Sequence, residues 1–299
     1  MPTIALRAFA KINLGLRVLG RRADGYHEIR TVYQAISLAD RIEVSLKASA
    51  AAGAEITVES DDPAIPGGPQ NLVYRACQRW GEIRGLRRGI AVRISKKIPA
   101  GSGLGGASSD AAGVLLALER LTGDRLGPAS RLELAAELGS DVPFFIEGGR
   151  AFGCGRGEEV YALPDLPRRH CLVVFPGFSQ STREAYAALD SQLTARPNPC
   201  SIYSFGKWPQ FPWDHWEAAE NDFERVVFAK WPELQKRKRQ LLRAGAEMAS
   251  LSGSGSAVYA IFASAQKLVS SRKLVPAPWQ SFATRTLPRA EYQRLRFES

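Results

Sequence analysis

Residues 97–112, KIPAGSGLGGASSDAA, hold more chemistry-bearing features than any other part of the chain. Gly101, Gly103, Gly105 and Gly106 lie between Pro99 and a Ser108–Ser109 pair that opens a helical pattern. Upstream, residues 90–94 alternate as a short strand does, and downstream Ala111, Ala112, Leu115, Leu116 and Leu118 recur at helical spacing. A glycine-rich loop thus feeds a helix N-terminus, where backbone N–H groups lack intrahelical partners and the dipole adds about half a positive charge. Glycine lets backbone approach a bulky anion, so the segment reads as a phosphate cradle. Ser108 can cap the helix, and Ser109 or its neighbour can offer a hydroxyl to phosphate or magnesium.

Three other readings compete for this loop. Gly101, Gly103 and Gly106 satisfy G-x-G-x-x-G, but a dinucleotide fold places that fingerprint in its first strand–helix turn, with an acidic residue about twenty positions on. Here the loop lies near residue 100 and residues 121–125 read as a helix end and turn, which argues against it. A Walker A loop ends in Gly-Lys-Ser/Thr, whereas this one ends Gly106-Ala107-Ser108. A glycine turn with no ligand stays open on the loop alone.

The loop has companions. Ala10-Lys11-Ile12-Asn13-Leu14 and Asp24-Gly25-Tyr26-His27 precede it; Leu138-Gly139-Ser140-Asp141-Val142-Pro143-Phe144 and Leu251-Ser-Gly-Ser-Gly255-Ser256 follow. Together, in this order, the segments resemble the GHMP kinases over residues 10 to about 260. The resemblance implies an α+β, two-domain fold, with an N-terminal domain like ribosomal protein S5 domain 2 and a ferredoxin-like C-terminal domain. A division into residues 1–160 and 161–299 follows from it and from the glycine-broken stretch at 147–157. It also implies ATP-dependent phosphorylation, in the cytoplasm, of the 2-hydroxyl of 4-diphosphocytidyl-2-C-methyl-D-erythritol for non-mevalonate isoprenoid synthesis. A homoserine- or mevalonate-type kinase is the nearest alternative, and Asp24-Gly-Tyr-His27 argues for a base-bearing substrate instead.

Site residues follow from the resemblance. ATP phosphates lie over Pro99, Ala100, Gly101, Ser102, Gly103, Leu104, Gly105, Gly106, Ala107, Ser108 and Ser109, with Lys96 and Asn71 near the adenine. Asp141 orients the acceptor hydroxyl and takes its proton; from position alone it would be a helix cap or a surface aspartate. Lys11 partners it, since a lysine beside Phe9-Ala10 and Ile12 is costly to bury unpaired. Tyr26 and His27 hold the cytosine, Tyr186 gives a second aromatic face and Asn13 an amide. By itself a Gly-Tyr-His turn means a packed tyrosine and an exposed histidine. Mg2+ is expected with the triphosphate, although no compact carboxylate set marks a metal site.

Composition is that of an ordinary globular chain of 299 residues, 45% hydrophobic and 23% charged, with no run long and apolar enough to cross a bilayer. The four cysteines are scattered without C-x-x-C spacing and read as idle thiols. A net charge of +10 suits anionic small molecules and would equally suit nucleic acid. The densest basic run, residues 236–239, reads as a solvated helix face, and no nucleic-acid motif accompanies it. The partner expected is the small-molecule substrate, with neither nucleic acid nor membrane, on a monomer or weak homodimer. A non-catalytic nucleic-acid-binding protein is the alternative from another class.

The elements that position these groups are partly visible. Residues 4–9, 41–46, 55–59, 90–94 and 171–175 read as strands, and 71–84 and 131–138 as helices. Residues 196–216, dense in proline and tryptophan, read as a surface excursion or a lid.

Overall fold

Alternating apolar residues draw the N-terminal segment into two very long antiparallel strands, β1 (Thr3–Arg21) and β2 (His27–Ser49). The computed structural model describes residues 2–49, 55–193 and 220–298; Cys200 and the segment 196–216 singled out above lie outside them. There follow β3 (Ile56–Ser60), α1 (Leu72–Arg84), β4 (Arg88–Ser95), α2 (Gly106–Thr122), α3 (Pro128–Leu138), α4 (Val142–Glu147), β5 (Arg150–Cys154) and β6 (Glu159–Ala162). One edge of β2 pairs with β1 along its length; the other is shared by β4, near Arg41–Ser49, and β5, near Thr31–Gln34. The sheet order is β3-β4-β2-β5-β6 with β1 beside β2. Helices α1, α2 and α4 cover one face and share its core with Leu6, Phe9, Ile42 and Val92.

The second layer starts with β7 (His170–Phe175), α5 (Thr182–Leu193), α6 (Phe223–Lys230) and α7 (Pro232–Arg243). It ends with β8 (Met248–Leu251), β9 (Val258–Phe262), α8 (Ala265–Arg272), β10 (Gln280–Arg285) and α9 (Arg289–Arg296). Its sheet is antiparallel in the order β10-β7-β9-β8. Fourth-first-third-second is the ferredoxin-like arrangement expected above. Helix α7 carries the basic run, yet it is not wholly solvated. Lys236 and Arg239 are exposed, whereas Arg237 is buried against Trp279 and Lys238 Nζ meets Glu224 at 2.6 Å. The apolar Leu234 and Leu241 rotate this face partly inward.

The two layers share a seam. Strand β1 has period two, so Ala10, Ile12 and Leu14 point together and pack with Val173, Tyr259 and Ile261 of the second sheet. Lys11 and Asn13 point the other way. Their stretch is framed by register shifts between Phe9 and Lys11 and between Asn13 and Gly15, which re-aim side chains locally. Farther along, Val18 N donates to Asp222 Oδ2 at 2.8 Å and Leu16 packs with Phe223, so β1 is built into both layers.

The C-terminal helix returns to the first layer. Tyr292 Oη donates to Phe145 O at 2.9 Å, and Arg296 Nη2 donates to Phe145 O at 2.7 Å and Ile146 O at 3.0 Å. These bonds satisfy carbonyls at the end of α4, where the chain turns at Gly148 with φ +67°. A Cβ on Gly148 would stand 2.1 Å from Tyr292 Cδ1. Gly148→Ala is therefore expected to lower the unfolding free energy by about 2 kcal/mol or more, read as a shifted urea midpoint. An unchanged midpoint would contradict this packing.

Candidate active site

The glycine segment turns through three left-handed residues, Gly101, Gly103 and Gly105, at φ +64°, +81° and +75°. Neighbours press against it at all three, Phe145 Cζ standing 2.7 Å from a Cβ built on Gly105. A Cβ on Gly103 would meet Ser252 O at 2.0 Å, and one on Gly101 would meet Ser179 Cβ at 2.4 Å. Hydrogen bonds reach it from both layers. Lys11 N donates to Leu104 O at 3.0 Å, Ala257 N to Ser102 O at 3.0 Å and Ser252 Oγ to Gly103 O at 2.9 Å. Asn221 Nδ2 in turn holds Leu251 O at 2.9 Å and Gly253 O at 2.8 Å. The second glycine segment, quoted above for its resemblance, thus braces the first.

Helix α2 starts at Gly106 with Gly105 as its cap and no side-chain capping bond. Ser108 is therefore its third residue and not its cap. The backbone turns at Gly105, and the N–H groups of Gly106, Ala107 and Ser108 are left for another acceptor. All three line a cavity of about 960 Å³, together with Pro99, Ala100 and Ser102. Ser109 is turned away: its hydroxyl is buried and donates to Phe9 O at 2.7 Å. The Leu104 side chain is buried too, in the seam between the layers.

Lys11 is 3% exposed, and its Nζ lies 3.4 Å from Asp141 Oδ2 and 2.7 Å from Asn13 Oδ1. Asn13 passes the constraint on, with Nδ2 donating to Thr31 Oγ1 at 2.8 Å and Thr31 Oγ1 to Gly15 O at 2.8 Å. The Asn13 amide is thus occupied in holding the lysine. Asp141 precedes α4 but makes no capping bond; its Oδ1 accepts from Tyr33 Oη at 3.0 Å. Burial, and then the charge of Asp141, push the Tyr33 phenol well above its ordinary value, which keeps it a donor. Sequence reasoning missed Tyr33, because a tyrosine in an alternating strand reads as core.

Lys96 lines the same cavity but is not free. Its Nζ contacts Asp40 Oδ2 and lies 2.9 Å from Asp110 Oδ2. Two buried carboxylates thus share one ammonium. Asp40 also accepts from Lys97 N and Ile98 N, at 2.6 and 2.8 Å, whereas Asp110 Oδ1 has no partner. Burial raises the Asp110 carboxyl to about 8, Lys96 pulling against it and Asp40 adding to it. Asn71 lines the cavity while capping α1, accepting from Val73 N at 2.8 Å and donating to Pro66 O at 2.8 Å.

At the other end of the cavity the tyrosine and histidine exchange the burial expected of such a turn. Tyr26 is 55% exposed, with the Arg156 guanidinium 4.7 Å from its ring, while the His27 side chain is 9% exposed. Tyr186 lines the same cavity; it stacks on His27, centroids 4.4 Å apart at 16°, and meets Phe223 edge-on. His27 Nε2 is 2.6 Å from Asp190 Oδ1, a contact sequence reading could not reach across 163 positions. Among the described residues, no group of three or more His, Cys, Asp or Glu could hold a metal ion, and no helix is long and apolar enough to cross a membrane. The arrangement pairs a phosphate-sized cradle with a carboxylate–ammonium pair, and an aromatic pocket beyond them.

Comparison with known proteins agrees in kind. The family models for the GHMP kinases N terminal domain and GHMP kinases C terminal match residues 71–149 and 214–272. The chain is 47% identical over 264 residues to a 4-diphosphocytidyl-2-C-methyl-D-erythritol kinase of Solibacter usitatus, covering 86% of this chain and 80% of that one. A crystal structure of 4-(cytidine 5'-diphospho)-2C-methyl-D-erythritol kinase superposes with TM-score 0.76 at 33% identity, over 95% of this chain and 99% of that one. Homoserine kinase from Cytophaga hutchinsonii, at TM-score 0.72 and 20% identity over 96% and 95% of the two chains, shares the fold.

The raised Asp110 carboxyl has a consequence for stability. Its folded value, about 8, stands above the ordinary 3.8, so the native state binds the extra proton and stability falls as pH rises between those values. Asp110→Asn removes this slope. Relative to the parent, its urea midpoint is expected to rise progressively across that window, and a pH-independent difference would contradict the buried cluster.

Proposed function

The chain belongs to the 4-diphosphocytidyl-2-C-methyl-D-erythritol kinases of the GHMP kinase family, and we propose on that premise the reaction its cleft performs. It transfers the γ-phosphoryl group of ATP to the 2-hydroxyl of 4-diphosphocytidyl-2-C-methyl-D-erythritol, a step of non-mevalonate isoprenoid synthesis. The observation that carries this reading is the Lys11–Asp141 pair, 3.4 Å apart on the wall of the cavity that the glycine segment also lines.

Phosphoryl transfer needs positioning and charge stabilisation more than covalent help. Asp141 accepts the hydroxyl proton as that oxygen bonds to the γ-phosphorus and the bond to the ADP oxygen breaks. Tyr33 and Lys11 each hold one carboxylate oxygen, so the acceptor is aimed before substrate arrives. The Lys11 ammonium meets the charge that develops on the transferred group. Residues 99–108 wrap the triphosphate, with the N–H groups of Gly106, Ala107 and Ser108 as donors, while Ser109 is spent on Gly105 O and Phe9 O and touches no phosphate. Lys96 and Asn71 border the adenine end.

Magnesium fits as an ion carried by the triphosphate, with the Ser108 hydroxyl as the protein group to reach it. It would neutralise phosphate charge. Tyr26, His27 and Tyr186 hold the cytosine, Tyr186 through its stack on the imidazole, and Asn13 acts through Lys11. On this reading the ATP-binding unit runs to residue 160. The unit from 161 to 299 closes the cleft and returns α9 to the first layer. A cytoplasmic enzyme fits the buried free thiols of Cys77 and Cys171.

The test is coupled ADP release from Mg-ATP with the cytidylyl substrate, beside homoserine and mevalonate. Turnover is expected with the first alone; turnover with a control would remove the cytidine reading, and silence with all three would remove the kinase reading. His27→Ala is expected to raise KM for the cytidylyl substrate at least about tenfold, leaving KM for ATP unchanged. Equal effects on both would count against the pocket.

A further inference from the structure

Helix α5 grips one imidazole at two points. Tyr186 and Asp190 are four residues apart and so share a face of the helix. The tyrosine covers the flat side of His27 and the aspartate reaches its Nε2 edge, at 2.6 Å. Asp190 is about one-third exposed, and the His27 side chain it holds is nearly buried. An ionised carboxylate can only accept, which requires the proton of an uncharged imidazole to sit on Nε2. The other ring nitrogen, Nδ1, finds no hydrogen-bond partner among the described residues, and His27 lines the cavity. Its lone pair is therefore left without a donor from the described residues.

We propose that Asp190 is a positioning residue that decides which pyrimidine the cleft accepts. By holding the His27 proton on Nε2, it leaves Nδ1 as an acceptor for the exocyclic amino group of cytosine. Uracil carries a carbonyl oxygen at that place, and two lone pairs would face each other. The assignment rests on the reading of this pocket as the cytidylyl site. Without the carboxylate the imidazole is free to move its proton to Nδ1, become a donor there and accept a carbonyl instead. Asp190 touches no reacting atom; it acts through His27.

Binding of cytidine diphosphate and uridine diphosphate, measured by calorimetry with a non-hydrolysable ATP analogue filling the nucleotide site, tests this without chemistry. The parent is expected to prefer cytidine diphosphate. Asp190→Ala and Asp190→Asn are expected to cut that preference at least about tenfold, while Asp190→Glu retains most of it. Affinity for the ATP analogue should stay constant throughout, which reports folding; Asp190→Asn, nearly the same size, carries the test should the alanine variant lose it. A preference that survives in Asp190→Asn overturns the assignment, as does a parent that binds both diphosphates alike. A parent that binds neither removes the cytidylyl reading itself, and the assignment with it.

Discussion

A lysine ammonium buried in the first long strand has to be compensated, and much of the cleft follows from how that is done. Lys11 meets a carboxylate, a side-chain amide and, 5.6 Å away, the face of the Tyr33 ring. Taking such a charge out of water is expensive unless its donors are satisfied. The run from Lys11 through Asn13 and Thr31 to Gly15 O meets that need on one side. Asp141, fixed by Tyr33, meets it on the other. Water reaches the pair from the Asp141 side, where an acceptor hydroxyl has to arrive.

The same strand carries the division between structure and chemistry. Period two sends Ala10, Ile12 and Leu14 into the seam between the layers and Lys11 and Asn13 into the cleft. Gly103 and Gly253 then come close enough that a side chain on the first would strike Ser252 O, and one on the second would stand 3.4 Å from Lys11 Nζ. The phosphate loop, the ammonium and the bracing segment from the second layer are consequently one packed unit. Displacing either layer would disturb all three.

Much of this was legible in the sequence because it is local. The glycine segment, the helix that follows it and the Tyr26-His27 turn rest on short-range rules of spacing and backbone freedom. Strand β1 was legible only to residue 9, since Lys11, Asn13 and Gly15 interrupt its apolar pattern just where the chemistry sits. Strand β5 was hidden by its flanking and internal glycines, Gly149 and Gly153. The contacts of Tyr33 with Asp141, Asp40 and Asp110 with Lys96, and Asp190 with His27 join residues 14 to 163 positions apart. No spacing rule reports them. The serine pair was misjudged because the left-handed turn at Gly105, not a hydroxyl, starts the helix.

The claim that Asp141 takes the acceptor proton is tested most directly by Asp141→Asn, which keeps a side-chain oxygen for Tyr33 and removes the base. Steady-state ADP release with the cytidylyl substrate is expected to show kcat lowered at least about a hundredfold with KM for ATP little changed, and the urea midpoint is expected to fall because Lys11 loses its carboxylate. A folded Asp141→Asn enzyme that turns over at near-parent rate would contradict the account.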